Sequence, residues 1–225
     1  TQRLVNHYLM ADGSKIQDQP GYETMTYNQQ FQNRDPRMAQ TLMAPGYVDL
    51  NGIDEVIEDC KSYDMTGYRF IKFVSDDTHN GATTSTTDWP VFRYPEILLT
   101  YAEAKAELGE FSETVWNATI KLLRERAGVD GTMPSAYDPY MAEYFLNTTT
   151  DMAILEIRRE RGIELLLENC RWDDDMRWHM GDLLTSDNNP WTGIYIGSTS
   201  YTYDYTGLST DDNGDPVPDF YIRPG

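Results

Sequence analysis

The sequence predicts a mainly α-helical protein made of TPR-like helical hairpins with long irregular loops and a minor β component. Three observations predict this fold class. Apolar residues recur at helical spacing between about 93 and 184, residues that start and stop helices bound those stretches, and polar, turn-rich segments surround them. We interpret residues 1–225 as one domain, with a helical core over about 93–184 and loop-rich parts over 14–92 and 185–225.

The segment before the helical core carries few signals for regular structure. Residues 2–11 can form a short helix that ends near Gly13. The Pro-Gly pair at 20–21 and the Asp-Pro pair at 35–36 interrupt any longer element, because both dipeptides favour turns. We therefore expect mostly irregular chain here.

One strand is predicted within this segment, and it supplies the minor β component. The stretch TGYRFIKFVSDD concentrates aromatic and β-branched residues between Gly67 and Asp76. This composition is typical of a strand. The polar stretch DDTHNGATTSTTD that follows has no apolar periodicity and predicts a loop.

The first helical hairpin begins with the stretch RYPEILLTYAEAKAELG. Pro95 suits the first position of a helix, where its missing N–H is not needed. Gly109 suits the left-handed cap at the end. The spacing +4, +3, +4 predicts one apolar face that contains Ile97, Tyr101, Ala104 and Leu108.

The second helix of this hairpin follows after a short turn. Ser112 can cap its N-terminus and Gly128 ends it. The same spacing recurs in Trp116, Ile120, Leu123 and Ala127. Two helices joined by so short a link are antiparallel neighbours, which gives an αα-hairpin.

A second helical unit follows. The Asp-Pro pair at 138–139 starts a short helix that runs to about Asn147, and Asp151 caps the long stretch MAILEIRRERGIELLLEN. This long helix is apolar on two sides, which predicts burial within a helical stack, and Gly162 suggests close approach by another helix. The stretch RWDDDMRWHMGDLL predicts a further helix with Trp172, Met176, His179 and Leu183 in register. The two units do not repeat at 34 residues, so the likeness to TPR is one of architecture.

Charge and cysteine content limit the classes of partner. The formal net charge is −19, from 37 acidic and 18 basic residues. This balance argues against nucleic acid or an anionic lipid surface as the main partner. Cys60 and Cys170 form no metal-binding motif, and we expect two unpaired thiols, although a bridge between them stays open. No apolar run is long enough to cross a bilayer.

Carboxylates that could suggest catalysis have a simpler interpretation. Glu160, Glu164 and Glu168 are interleaved with arginines, which predicts a network of ion pairs within and between helices. A glycosidase pair is the alternative. The run 173–175 is expected to cap a helix or face solvent. The histidines have no metal-ligand spacing and no nucleophile motif occurs, so we predict no catalytic residue, no metal and no cofactor.

Aromatic residues in the loops are the candidate ligand-binding residues. Tyr22, Tyr27 and Trp89 lie in polar loops. An aromatic ring can stack on the C–H face of a pyranose while neighbouring amides and carboxylates bond its hydroxyls. Period-2 spacing would also place Tyr201, Tyr203 and Tyr205 on one face of an extended segment. The alternative for all these rings is that they pack the loops onto the helices.

The helical stretches, taken in order, resemble the C-terminal half of the SusD/RagB family. The stretches that carry this resemblance are RYPEILLTYAEAKAELG, WNATIKLLRERAGV and IRRERGIELLLENCRWDDDMRW. Upstream, QRLVNHYLMADGS, NRDPRM and TGYRFIKF match too. The ordered match covers most of residues 1–184, and the tail from about 190 is similar in character.

The resemblance implies an α-helical, non-enzymatic, glycan-binding lipoprotein of the outer membrane of Bacteroidetes. Such proteins cover a SusC-like TonB-dependent transporter and deliver oligosaccharide or polysaccharide to it. Because family members are usually longer, the chain is expected to be a C-terminal portion, lipid-anchored through an N-terminal region absent from it. The helical motifs carry the fold, so no sugar ligand is transferred by motif.

Two other functions stay open at this point. A helical stack of this kind could be a protein- or peptide-interaction module. A carbohydrate-active hydrolase on a helical frame is the third hypothesis, which would need a reactive carboxylate pair. The sequence does not identify the glycan.

Overall fold

The computed structural model of the chain describes residues 1–48, 66–75, 83–184 and 192–194, and α-helices dominate these ranges. Short 3₁₀ helices span Ile16–Asp18, Tyr22–Thr24 and Gly181–Leu184. The α-helices are α1 (Gln2–Val5), α2 (Tyr27–Gln30), α3 (Pro36–Thr41), α4 (Tyr94–Glu107), α5 (Glu113–Ala118), α6 (Ile120–Ala127), α7 (Pro139–Tyr144), α8 (Met152–Glu164) and α9 (Cys170–Arg177). The predicted mainly α-helical fold class is confirmed.

The predicted strand is wrong in the part that the structure describes. Within the described ranges, pairing is limited to isolated antiparallel bridges between Met10 and Arg34 and between Leu42 and Phe70. Past the second bridge the chain turns, because Phe73 adopts a left-handed φ of 69°. A left-handed residue cannot continue a strand.

The predicted helix over 2–11 is shorter than expected, since α1 ends at Val5. The buried guanidinium of Arg34 explains this end. Its Nη2 donates to the carbonyls of Val5 (2.7 Å) and Tyr8 (2.8 Å). These carbonyls are therefore satisfied by a distant side chain, and the chain does not need further helical turns to bond them.

The predicted helix starts and ends are largely confirmed. Asp138 caps α7 and Asp151 caps α8, each accepting from two backbone N–H groups, and Ser112 caps α5. Gly109 and Gly128 follow α4 and α6 with φ of 68° and 84°. The helix expected between Ser112 and Gly128 is broken in two at Thr119, whose hydroxyl donates to the Val115 carbonyl at 2.6 Å.

The core centres on α8, which packs mainly against α4. Every residue of α8 from Ala153 to Glu164 is buried, which confirms the prediction of a helix enclosed on more than one side. The largest apolar cluster joins α4, α5, α6 and α8 through residues that include Leu99, Ala102, Trp116, Ile120, Leu123, Ile154 and Ile157.

Two predicted apolar faces point outward instead. In α4, Ile97, Tyr101 and Leu108 are 52%, 48% and 69% exposed, while the alanine-rich opposite side is buried. Small alanines let α8 approach closely, so they form the contact. In α9, Trp172 and Met176 are exposed, because the pair between Arg161 and Asp174 turns the other side of the helix inward.

Gly162 does mark a close approach, but the neighbour is a side chain and not another helix. A Cβ added there would lie 3.2 Å from Nδ1 of His7. Cys170 carries a free thiol, as expected. Cys60 and the tyrosines at 201, 203 and 205 lie outside the described residues.

Candidate functional site

The glutamates of α8 form the predicted ion-pair network. Glu160 is fully buried and receives Arg37 Nη1 at 2.9 Å and Arg124 Nε at 2.7 Å. Burial opposes its ionisation, but attraction to the two guanidinium groups prevails and lowers the pKa of Glu160 to about 2. The carboxylate is therefore ionised at neutral pH.

The same network continues past the end of α8. Glu164 accepts from Arg37, Arg93 and Arg126. Glu168 accepts from Arg93 at 2.7 Å and Lys72 at 2.6 Å. These bonds connect α3, the 66–75 segment, the start of α4, α6 and α8. Because each carboxylate is held by cations, the network is structural and does not resemble a glycosidase pair.

The aspartate run 173–175 was expected to cap a helix or face solvent, and this is wrong for Asp174. Asp174 is buried and accepts from Arg161 Nε at 2.8 Å and Arg177 Nη2 at 2.8 Å. Asp175 is half-buried and pairs with Arg171. Among the described residues, no group of three or more histidine, cysteine or acidic side chains is placed to hold a metal ion.

The structure separates the three predicted ligand-binding residues. Tyr27 is 8% exposed, packs between Phe31 and Tyr68, and donates its hydroxyl to the Met43 carbonyl. This burial argues against contact between the Tyr27 ring and a ligand. The environment of Tyr27 agrees with the alternative interpretation, in which the ring serves packing and does not contact a ligand.

Trp89 is accessible. Its ring is 48% exposed and lies 4.8 Å from the ring of Phe73. Phe73 and Pro90 line a hollow of about 580 Å³, and half of its other lining residues are arginines and glutamates of the ion-pair network. Trp89 thus offers an aromatic surface beside a charged depression.

Tyr22 lies at the centre of a more varied cleft. Two hollows of about 190 Å³ and 420 Å³ share Arg3, Asn6 and Tyr22 as lining residues. We call this pair of hollows the Tyr22 cleft. Its smaller hollow is also lined by the rings of Tyr140 and Tyr144.

Amide side chains fix the position of Tyr22. Asn6 Nδ2 donates to the Tyr22 hydroxyl at 2.6 Å, and Gln2 Nε2 donates to Asn6 Oδ1 at 2.8 Å. Gln30 joins this chain through Gln2. The same amides line the larger hollow. The groups of Gln2 and Gln30 are used within the protein, whereas Asn6 keeps one donor and one acceptor position beside the held ring of Tyr22.

His7 is a cleft residue that the sequence did not reveal. It lines the smaller hollow, is 1% exposed and lies edge-on to Tyr144, with ring centroids 4.3 Å apart. Among the described residues, neither ring nitrogen has a hydrogen-bond partner. Burial, with Arg171, Arg159 and Arg3 nearby, holds the pKa of His7 well below its usual value. An isolated histidine in a polar segment carries no sequence signal for this environment.

Comparisons with known proteins identify one family. A sequence model described as the SusD family matches residues 1–224. No curated protein matches the chain, and no solved structure does. None of the helices in the described ranges has the length and apolar character needed to cross a bilayer.

Proposed function

The chain belongs to the SusD family, and on that premise we propose that it is a glycan-binding component of an outer-membrane nutrient-uptake system. Proteins of this family bind carbohydrate and are not catalytic. In the proposed role the protein captures oligosaccharide at the cell surface and passes it to a SusC-like TonB-dependent transporter. The Tyr22 cleft is the proposed capture site.

The observation that carries this proposal is the composition of the Tyr22 cleft. Tyr22, Tyr140 and Tyr144 supply ring surface, and Asn6, Gln17 and Glu143 supply hydrogen-bonding groups. A pyranose has both an apolar C–H face and a rim of hydroxyls, so it needs this combination. Arg3 lies over the Tyr144 ring and Lys15 over the Tyr140 ring, so a sugar would stack on the other face of each of these rings.

Calorimetric titration of the purified chain with a panel of neutral oligosaccharides tests the proposal. Tyr22→Ala should weaken binding about two- to tenfold, because an aromatic contact contributes about 0.5–1.5 kcal/mol. Tyr22→Phe keeps the ring and should lose less. Tyr101→Ala is the matched control, since Tyr101 is an exposed tyrosine outside the cleft.

Two outcomes would count against the assignment. If a bound oligosaccharide loses equal affinity with Tyr22→Ala and Tyr101→Ala, the site is elsewhere. If the full-length protein from cells binds no glycan, capture of glycan is not its role. Release of shorter sugars from any glycan would instead favour the hydrolase hypothesis.

A role in protein contact is the second candidate, and one observation favours it. Ile97, Tyr101 and Leu108 form an exposed apolar face along α4, which is typical of a surface that another protein covers. In the proposed system that protein is the transporter. Ile97→Asp with Leu108→Asp should reduce co-purification of the transporter from membranes and leave glycan affinity unchanged. Recovery of a soluble partner instead would favour a general interaction module.

A further inference from the structure

A third hollow lies on the helical stack, where α4, α8 and the segment after α9 meet. Its volume is about 760 Å³, and it shares no lining residue with the Tyr22 cleft. We call it the Arg158 hollow. It is lined by Glu103, Glu107, Thr148, Arg158, Arg161 and Arg177, together with neighbouring residues of the same helices.

Two of the three arginines that line this hollow are neutralised by carboxylates. Arg161 forms a two-bond pair with Asp174, at 2.8 Å from Nε and 2.9 Å from Nη2. Arg177 bonds Glu103 through Nη2 at 2.6 Å and also reaches Asp174. Their donors are therefore largely committed to the protein itself.

Arg158 differs from both. It is 7% exposed, and no carboxylate of the described residues forms an ion pair with it. Its Nη1 donates to the Thr148 hydroxyl at 3.2 Å, and its Nε has no hydrogen-bond partner. Burying a guanidinium that no carboxylate bonds directly carries a desolvation penalty.

Neighbouring groups offset only part of this penalty. The guanidinium lies 4.8 Å from the Trp178 ring and 5.2 Å from the Phe145 ring, which supplies cation–π attraction. Glu103 and the exposed Glu107 also attract the guanidinium electrostatically, although neither forms an ion pair with Arg158. Burial accordingly lowers the pKa of Arg158. The pKa of Arg177 is raised instead, because its carboxylate partners outweigh the effect of burial.

We propose that the Arg158 hollow is an oxyanion site, in which the Arg158 guanidinium binds the carboxylate or sulfate group of a small ligand such as a sugar acid. A guanidinium presents paired donors that match these groups. The hollow is within the size range of small-molecule sites. Because the net charge is −19, general attraction of anions is not expected, and binding requires a local cation. This proposal does not depend on glycan capture at the Tyr22 cleft.

Calorimetric titration of the full chain at constant ionic strength tests it, with sodium glucuronate, sodium sulfate and neutral glucose as the three probes. Saturable binding of glucuronate, sulfate or both at one site supports the proposal and shows which oxyanion the site prefers. Glucose should give no binding at this site. Absence of saturable binding by both anions overturns the proposal.

Single substitutions test whether Arg158 is the residue that binds the anion. Arg158→Gln should lose at least about tenfold in affinity, because the charge-assisted bonds disappear, and Arg158→Lys should fall between it and the native chain. Arg126→Gln, on the hollow beside Trp89, is the matched control and should change nothing. Tyr22→Ala should also leave anion binding unchanged.

Glu107→Gln provides a test that does not risk the fold, since Glu107 is exposed. Removing this negative charge should strengthen anion binding by about twofold or more, and more so at low salt. Unchanged affinity in both Glu107→Gln and a folded Arg158→Gln or Arg158→Lys would show that the anions bind elsewhere and would contradict the assignment.

Discussion

Glu160 shows how a single buried charge is kept in this fold. Its side chain has no solvent contact, yet Arg37 and Arg124 each donate to one of its oxygens. The three groups come from α8, α3 and α6. A buried charge that is fully paired is tolerated, but the removal of one member weakens the compensation of the charges that remain.

Glu160→Gln should therefore destabilise the protein by about 2–3 kcal/mol, because Arg37 and Arg124 each lose one buried, charge-assisted partner. The loss is limited because Arg37 still pairs with Asp35 and Glu164, and Arg124 still pairs with Glu156. Urea unfolding followed by circular dichroism measures this loss. Glu110→Gln is the matched control, since Glu110 pairs with Lys105 on the surface. That change should stay within about 0.5 kcal/mol. Equal effects of the two changes would contradict a structural role for the network.

Gly162 and His7 form a second residue-level pair that can be tested. Gly162→Ala would place a Cβ 3.2 Å from His7 Nδ1. His7 is held between the rings of Tyr144 and Phe145 and cannot move away easily, so we expect a loss of about 1–2 kcal/mol.

In a His7→Ala background the same Gly162→Ala change should become stabilising by up to about 1 kcal/mol, since alanine is the better helix former. The double-mutant cycle is measured by chemical denaturation. A Gly162→Ala effect of the same size in both backgrounds would show that the contact with His7 carries no energy.

At the scale of elements, helix starts agree with the sequence better than helix faces do. Asp138 and Asp151 both cap helices through their carboxylates. Capping depends on residues only two or three positions apart, so it can be read locally. Which side of α4 is buried depends on α8, which lies far along the chain.

The two capping aspartates should differ in their contribution to stability. Asp151→Ala removes only a cap and should cost about 1 kcal/mol. Asp138→Ala also removes one of the two buried carboxylates that pair with Arg159, leaving Glu156 at 3.5 Å, and should cost about 3 kcal/mol. Thermal or urea unfolding of both variants makes the comparison, and equal losses would contradict the second role of Asp138.

At the scale of the whole molecule, pH should affect stability in two steps. The pKa of His7 is below its usual value of 6.5, so the unfolded chain binds the proton more readily, and stability is lost as pH falls through about 6.5. The pKa values of Glu156, Glu160 and Glu168 are below the usual 4.5, so a second loss follows as pH falls from about 4.5 towards 2.

Urea midpoints measured between pH 8 and pH 3 would test this profile. His7→Ala should remove the first step and keep the second, while Glu160→Gln should reduce the second. Because these groups are buried, both steps should persist in moderate salt. A single step near pH 4.5 in the native chain would show that His7 does not contribute.

The sequence gives only part of the candidate sites for a physical reason. Tyr22, Tyr27 and Trp89 have equivalent local patterns, but the structure places one in a cleft, one in the core and one on the surface. Neither His7 nor Arg158 stands out in the sequence. The burial of His7 and the lack of an ion pair at Arg158 depend on neighbours that are distant along the chain. The extension of one domain over 1–225 stays a prediction.

By itself, the sequence determined the helical class, the helix caps and the family, because these depend on short-range spacing and on ordered motifs. The tertiary structure alone decided which helix faces are buried, which cation meets each glutamate of α8, and that Arg158, among the three arginines lining its hollow, has no ion pair with a carboxylate of the described residues. Burial and charge pairing are properties of groups brought together across the fold. The free energies of burial and of charge pairing therefore depend on contacts that no local stretch of sequence contains.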